Sequence, residues 1–337
     1  MGSENTLKNP ENFTSHPELS ALENQNIAIT GACGFLGFHL TRLLLQIGAR
    51  VIALTPHKNP PRLNTLVDHP GLTIQNFDLS NTAAVGKIIK EYEPRIVFHL
   101  AAYGVQARDR DSRKAIKINV AGSAAVVSAA AACKVERFVQ IGTSHEYGES
   151  TEPLKENAQL HPTGLYGATK AAAMLIGQSL AAQHGLHWVG LRPFVTYGPF
   201  EDTDKFIPYV ITQALCKKPI VTSSCEQVRD FTFVEDLVVG VAMSAAQRLE
   251  SGTILNLGSG QGHSLAHIIK TLTVFFPNAD LRIGSLLQRS DEMMYQVANT
   301  QHQQQLLRWR PIVSLEQGLK KTVQWYANQE QSLCTNQ

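Results

Sequence analysis

The stretch Asn26-Ile27-Ala28-Ile29-Thr30-Gly31-Ala32-Cys33-Gly34-Phe35-Leu36-Gly37 decides the fold. A short apolar run ends in glycines. Apolar residues then recur at helical spacing from Leu36 to Ile47, and a second apolar run covers Arg50 to Leu54. This is a strand–turn–helix–strand unit of about 30 residues. Glycines at the turn permit a tight bend and the close approach of a pyrophosphate. The helix start offers free N–H groups and the positive end of a dipole. The spacing is GxxGxxG rather than GxGxxG, and its position between strand and helix gives it meaning. Gly31, Gly34, Phe35, Leu36 and Gly37 are therefore expected at a dinucleotide, a ligand-free tight turn being the alternative.

The alternation continues outward. Strands are expected at Leu72–Asn76, Arg95–Leu100, Arg137–Gly142 and Trp188–Arg192. Helices are expected up to Tyr92, around Ser112–Cys133, and over Tyr166–His184. Strands alternating with helices imply an α/β protein of Rossmann type, a doubly wound parallel sheet covered on both faces. No fixed-period repeat accompanies the alternation. After Pro193 proline, glycine and polar residues become denser, which marks a smaller C-terminal α/β lobe for substrate. The expected division is a cofactor domain over 26–192, with segments returning near 229–260, and a substrate lobe over 193–228 and 261–330. Residues 1–25 are polar and aperiodic and read as a mobile extension.

Composition narrows the function classes. The chain has 337 residues, 43% hydrophobic and only 17% charged, so it is expected to be globular. Lys+Arg 30 against Asp+Glu 28 gives +2, too little for a nucleic-acid or anionic-membrane surface. The most apolar segment, Val120–Cys133, is shorter than the about 20 residues of a spanning helix. The N-terminus lacks the apolar stretch of a signal peptide. Five cysteines, Cys33, Cys133, Cys216, Cys225 and Cys334, show no CxxC pair. Their odd count and spacing imply reduced thiols, no metal site and a cytoplasmic location.

The second strand leads into Thr55-Pro56-His57-Lys58. An NAD site usually carries a carboxylate there for the ribose 2′-hydroxyl. Thr55, His57, Lys58 and Arg62 instead offer donors and positive charge, which suits a 2′-phosphate. NADP(H) is the favoured cofactor and NAD(H) the alternative.

Tyr166-Gly-Ala-Thr-Lys170 opens the long helix, with Tyr and Lys on one face. A tyrosine of pKa about 10 is a poor acid–base group at neutral pH. A neighbouring ammonium and an oxidised nicotinamide would lower that value, letting Tyr166 exchange a proton with a carbonyl or alcohol oxygen. Just after the fifth strand comes Gly142-Thr143-Ser144-His145-Glu146-Tyr147-Gly148. Thr143 is the expected second hydrogen-bond partner of that oxygen, with Ser144 the runner-up. His145 is either a second acid–base group, a sugar contact or a scaffold residue.

At these residues the chain resembles the extended short-chain dehydrogenase/reductase family, in its nucleotide-sugar epimerase, dehydratase and reductase branch. The resemblance runs from about Asn26 to Tyr326. It rests on GACGFLG, Asp78-Leu79, HLAA at His99–Ala102, Asn119-Val120, Thr143-Ser144, YGATK, RPFVTYGP from Arg192, VRDFTFVEDL from Val228, LNLGSG from Leu255 and LRWRP from Leu307. It implies hydride transfer at a sugar carbon, with a nucleotide-diphosphate sugar as substrate. It also implies Asp78 and Leu79 near the adenine, and Leu100, Ala101, Ala102, Asn119, Pro193 and Val195 along the cofactor. Many relatives have Asn where Val195 stands. The 4,6-dehydratases place an Asp–Glu pair where this chain has Ser144 and His145, so dehydration is not expected. The finer likeness is to reductases making CDP-paratose or CDP-abequose. That likeness implies Tyr103, Phe206 and Val221 at the sugar, Arg229 and Arg289 on the diphosphate, and Glu292 on the ribose. The resulting expectation is NADPH-dependent reduction of a 4-keto group, with Tyr166 as proton donor and Lys170 tuning it. The alternatives are an NAD-dependent nucleotide-hexose 4-epimerase and a catalytically silent dinucleotide-binding regulator. The small-residue faces of 113–133 and 166–184 suggest a homodimer.

Overall fold

The computed structural model describes residues 16–104, 109, 111–288 and 292–335. The strands are β1 (Asn26–Thr30), β2 (Arg50–Thr55), β3 (Leu72–Asn76), β4 (Ile96–His99), β5 (Arg137–Ile141), β6 (Trp188–Pro193), β7 (Val195–Tyr197), β8 (Ile220–Val221), β9 (Val228–Phe233), β10 (Ile254–Leu257), β11 (Gly262–Ser264), β12 (Leu281–Arg282) and β13 (Tyr295–Gln296). The α-helices are α1 (Phe35–Gln46), α2 (Thr82–Tyr92), α3 (Ser112–Ala115), α4 (Ser123–Ala132), α5 (Leu165–His184), α6 (Phe206–Leu215), α7 (Val234–Ala246), α8 (Leu265–Thr273), α9 (Gln301–Leu306), α10 (Leu315–Ala327) and α11 (Glu330–Thr335).

Seven strands form one sheet in the order β10-β6-β5-β4-β1-β2-β3, every pair parallel. Side-chain alternation divides its core. Ile27, Ile29, Val51, Ala53, Phe98, Val139 and Leu191 pack under α1 and α7. Ala28, Ile52, Leu54, Val97, Phe138 and Trp188 pack under α2, α4 and α5. The period of two along a strand thus supplies two cores from one sheet. Strand order reverses between β1 and β4, and ligands of such sheets bind outside the carboxyl ends at that point.

The smaller lobe is built on β9, which pairs with β7, β11 and β13, beside the pair β8–β12. Its core gathers Tyr197, Ile211, Phe231, Phe233, Ile268, Leu272, Leu319 and Tyr326. From β9 the chain runs into α7 and β10, which rejoin the large sheet.

Three expectations change. Residues 16–25 are part of the fold: Pro17–Leu22 forms a 3₁₀ helix whose Leu19 and Leu22 are buried in the α1–α7 core. Only two apolar anchors secure it, too few to show as periodicity. The helix expected around Ser112–Cys133 is found, but the apolar stretch within it is longer than Val120–Cys133. It runs continuously over Ser112–Ala132, long and apolar enough to cross a membrane by composition, and lies against α2 and α5. The thiols are not all reduced. Cys216 and Cys334 are joined in a disulfide, 118 residues apart in sequence, which spacing alone could not disclose. Cys33, Cys133 and Cys225 are free. The scattered cysteines therefore no longer support a cytoplasmic location.

Candidate active site

The glycine turn joins β1 to α1. Gly31 has φ +72°, and a Cβ there would stand 2.8 Å from Ala101 N. A Cβ on Gly37 would stand 2.2 Å from Gly31 O. Side chains at these two positions would fill the space the turn leaves over the strand ends, so the cradle fits a dinucleotide pyrophosphate. Gly34 caps α1 without a side chain, which leaves the first-turn N–H groups to a ligand. Phe35 and Leu36 lie in that turn. Beneath it, His99 bridges Thr30 Oγ1 at 2.7 Å and Ser123 Oγ at 2.8 Å. Burial, aided by the Lys170 charge, lowers its pKa to about 3, so it is a neutral core group.

At the end of β2 the expected phosphate donors separate. The buried Thr55 hydroxyl donates to Cys33 Sγ at 3.0 Å and accepts from His57 N at 3.2 Å. Arg62 pairs with Asp202 at 2.6 Å and donates to Cys33 O and Phe200 O. Those pairings occupy both groups, while His57 and Lys58 remain exposed. Asp78 is exposed, its carboxyl held below the usual range by hydrogen bonds from Ser80. Leu79 is buried against Gly122.

Leu100, Ala101, Ala102 and Tyr103 follow β4 and are half-buried. Asn119 lies in the π-helical stretch Ile116–Gly122, a helix type frequent at functional sites. It accepts from Tyr103 N at 2.7 Å and donates to Tyr103 O at 2.8 Å and Thr169 Oγ1 at 2.9 Å. It thereby ties the strand end to α5.

Tyr166 and Lys170 occupy the first two turns of α5, and Thr143 follows β5. Lys170 is buried and its ammonium donates to Ile141 O. Burial lowers its pKa to about 8, against the pull of Glu146. Tyr166 does not follow the expected direction within the protein alone. Burial raises its phenol, the negative charge of Glu146 raises it further, and the Thr143 hydroxyl draws it back. Ser144 is buried, its hydroxyl donating to Gln296 Oε1 at 3.3 Å, which leaves Thr143 as the hydroxyl beside Tyr166. His145 is exposed, with Nδ1 3.2 Å from Thr143 Oγ1 and its ring edge-on to Tyr166 at 6.0 Å between centroids. Surrounding protein, with Arg229 and Lys205 nearby, lowers its pKa to about 4.

Motif reading missed the support under this group. Glu146 is fully buried, accepting from Thr143 N at 2.9 Å and from Arg192 Nε at 2.8 Å. Arg192 also donates to Tyr147 Oη, which donates to Asn256 Oδ1. Glu146 therefore holds Thr143 in place. Arg192 was visible in a motif, yet nothing in the sequence tied it to a carboxylate 46 positions earlier.

In the smaller lobe, Arg229 pairs with Glu292 at 3.0 Å and donates to Val228 O and Met293 O. The two residues expected on diphosphate and ribose thus hold each other. Phe206 opens α6, Val221 O accepts from Tyr209 Oη at 3.1 Å, and Pro193 and Val195 are half-buried where β6 passes into β7. Arg289 lies outside the described residues.

The family model described as the NAD dependent epimerase/dehydratase family matches residues 27–258. The UDP-glucuronate 4-epimerase of Thermodesulfobacterium geofontis is 28% identical over 308 residues, spanning 88% of this chain and 94% of its own. The dTDP-glucose 4,6-dehydratase of Neisseria meningitidis is 27% identical, spanning 90% of this chain and 93% of its own. The UDP-glucuronic acid 4-epimerase from Bacillus cereus, solved with UDP-glucuronic acid and NAD, has TM-score 0.82 and 26% identity. That comparison covers 90% of this chain and 99% of that one.

Proposed function

Because the chain belongs to the NAD dependent epimerase/dehydratase family and is an enzyme of the extended short-chain dehydrogenase/reductase type, we propose that it inverts carbon 4 of a nucleotide-diphosphate hexose. In this reading NAD is retained through the cycle. The observation that carries the proposal is the convergence of Tyr166, Thr143 and Lys170 at the carboxyl edge of the sheet, beside the glycine turn. A bound nicotinamide would supply hydride acceptance and return at carbon 4. Gly31, Gly34, Phe35, Leu36 and Gly37 would hold the pyrophosphate, and Asp78 and Leu79 would face the adenine. Leu100, Ala101, Ala102, Asn119, Pro193 and Val195 would line the cofactor's path.

Tyr166 Oη takes the proton of the 4-hydroxyl and gives it back to the 4-keto oxygen. Thr143 Oγ1 orients that oxygen. Lys170 supplies positive charge near the nicotinamide ribose. The raised phenol of Tyr166 supports a site that ionises only when this positive surrounding is completed. Tyr103, Phe206, Val221, Arg229 and Glu292 form the sugar-nucleotide side. Dehydration is disfavoured, since Ser144 is engaged with Gln296 and His145 replaces the second acid–base carboxyl.

A second reading is net reduction of a 4-keto sugar by NADPH. It is favoured by the end of β2, where no carboxylate stands and His57 and Lys58 are exposed. Engagement of Thr55 and Arg62 weakens it. Assay of the purified chain with nucleotide hexoses and no added cofactor separates the two. Inversion supports the first, and turnover only of 4-keto sugars with NADPH supports the second.

We also propose a homodimer through the outer faces of the continuous helix Ser112–Ala132 and of α5. Leu175 is 57% exposed and Ile116 53% exposed, beside exposed Ala121, Ser128, Ala168 and Ser179. Sedimentation at micromolar protein is expected to give a dimer, and a monomer would refute it.

A further inference from the structure

We propose that His145 is the proton port of Tyr166, passing protons between the phenol and water through the Thr143 hydroxyl. This deepens the reading of Tyr166 as the proton carrier and rests on it. The argument begins from access. Tyr166 is half-buried, and the groups behind it are closed to water. Lys170 is 3% exposed with its ammonium on Ile141 O, and Glu146 is 0% exposed and held by Arg192. His145 stands between buried Ser144 and Glu146 yet is itself exposed. Its Nδ1 turns back to Thr143 Oγ1 at 3.2 Å, which leaves Nε2 as the outer nitrogen.

A phenol with a raised pKa cannot become the phenolate unless its proton has somewhere to go. In the ionising direction the Tyr166 O–H bond breaks and the proton passes to Thr143 Oγ1. The Thr143 proton passes to His145 Nδ1, and Nε2 releases its proton to water. The ring starts as the Nε2–H tautomer and ends as the Nδ1–H tautomer, neutral at both ends. That neutrality matches the surroundings. Arg229 on β9 and Lys205 before α6 face the ring with positive charge, and Glu146 on its own turn is ion-paired with Arg192. A relay through an imidazolium would work against both cations, whereas tautomer exchange does not.

The test uses the full chain saturated with NAD and no sugar, so it reads proton movement without catalysis. After an upward pH jump, tyrosinate absorbance is followed by stopped flow, with Tyr166→Phe as the blank. His145→Ala is expected to slow the appearance of tyrosinate about tenfold or more. Its final amplitude and dinucleotide affinity should be retained, and free imidazole should restore the rate. His145→Gln should slow it equally, without opening a cavity. A rate within twofold of wild type in both variants would overturn the port. Failure of the wild-type chain to form tyrosinate would overturn both the port and the role of Tyr166. Fast His145-dependent tyrosinate formation with no turnover of any nucleotide sugar would overturn the proposed reaction alone.

Discussion

Lys170 carries an ammonium into a wall that water does not reach, and its pKa falls from 10.5 to about 8. The folded chain therefore binds fewer protons than the unfolded chain between these values. The cost of burying the charge, roughly 3 kcal/mol, is fully present below about 8 and is relieved as pH rises toward 10.5. Lys170→Met is expected to melt above wild type at neutral pH, with a gap that narrows as pH rises through that interval. The same variant should lose turnover, and differential scanning calorimetry against pH checks the stability half. Tyr166→Phe is expected to lose activity about a hundredfold or more while keeping dinucleotide affinity. A variant holding a tenth of wild-type turnover would remove Tyr166 as proton carrier. The pair was legible because Tyr166 and Lys170 sit four apart at the start of a helix. Its support was not, since Glu146 meets Arg192 across a separation that no local pattern encodes, and neither was the Arg62–Asp202 pair at the end of β2. In the chain alone burial and Glu146 raise the Tyr166 phenol, while the expected lowering rests on Lys170 together with an oxidised nicotinamide.

The joint between β1 and α1 depends on closeness that only missing side chains allow. Gly37→Ala would press a methyl to 2.2 Å from Gly31 O, in backbone that cannot step aside. The expected result is a loss of about 1–3 kcal/mol in stability and of nucleotide binding, read by thermal melts and a fluorescent dinucleotide titration. This element was readable because an apolar run, three glycines and a helical period stand in order. β2 to β6 were expected as well, set between helical periods, whereas β10 was not read as a strand. The 3₁₀ helix over Pro17–Leu22 was not, since two leucines three positions apart define no period. Nor was the Arg229–Glu292 pair, which forms only when β9 meets the segment leading to β13.

At the scale of the molecule, the disulfide ties α11 to the end of α6 and closes a stretch that includes α7 and β10 as well as much of the smaller lobe. Reduction is expected to lower the melting temperature and to cost up to about 5 kcal/mol in stability. Thiol titration of the denatured chain should find three thiols before reduction and five after; five at the outset would refute the bond. Length and texture suggested a smaller lobe after Pro193, but β9 (Val228–Phe233), expected among the segments returning to the cofactor domain, pairs with β7, β11 and β13 instead, and the return of α7 and β10 to the large sheet emerges from tertiary pairing. That return sets the smaller lobe beside the carboxyl edge where Thr143, Tyr166 and Lys170 converge. The most direct test of that convergence as a site for inversion is NMR of nucleotide hexoses carrying deuterium at carbon 4, incubated with the purified chain and no added cofactor. Inversion at carbon 4 with the deuterium retained there, abolished by Tyr166→Phe, is the predicted result. No inversion of any nucleotide hexose, or inversion that survives Tyr166→Phe, would contradict it.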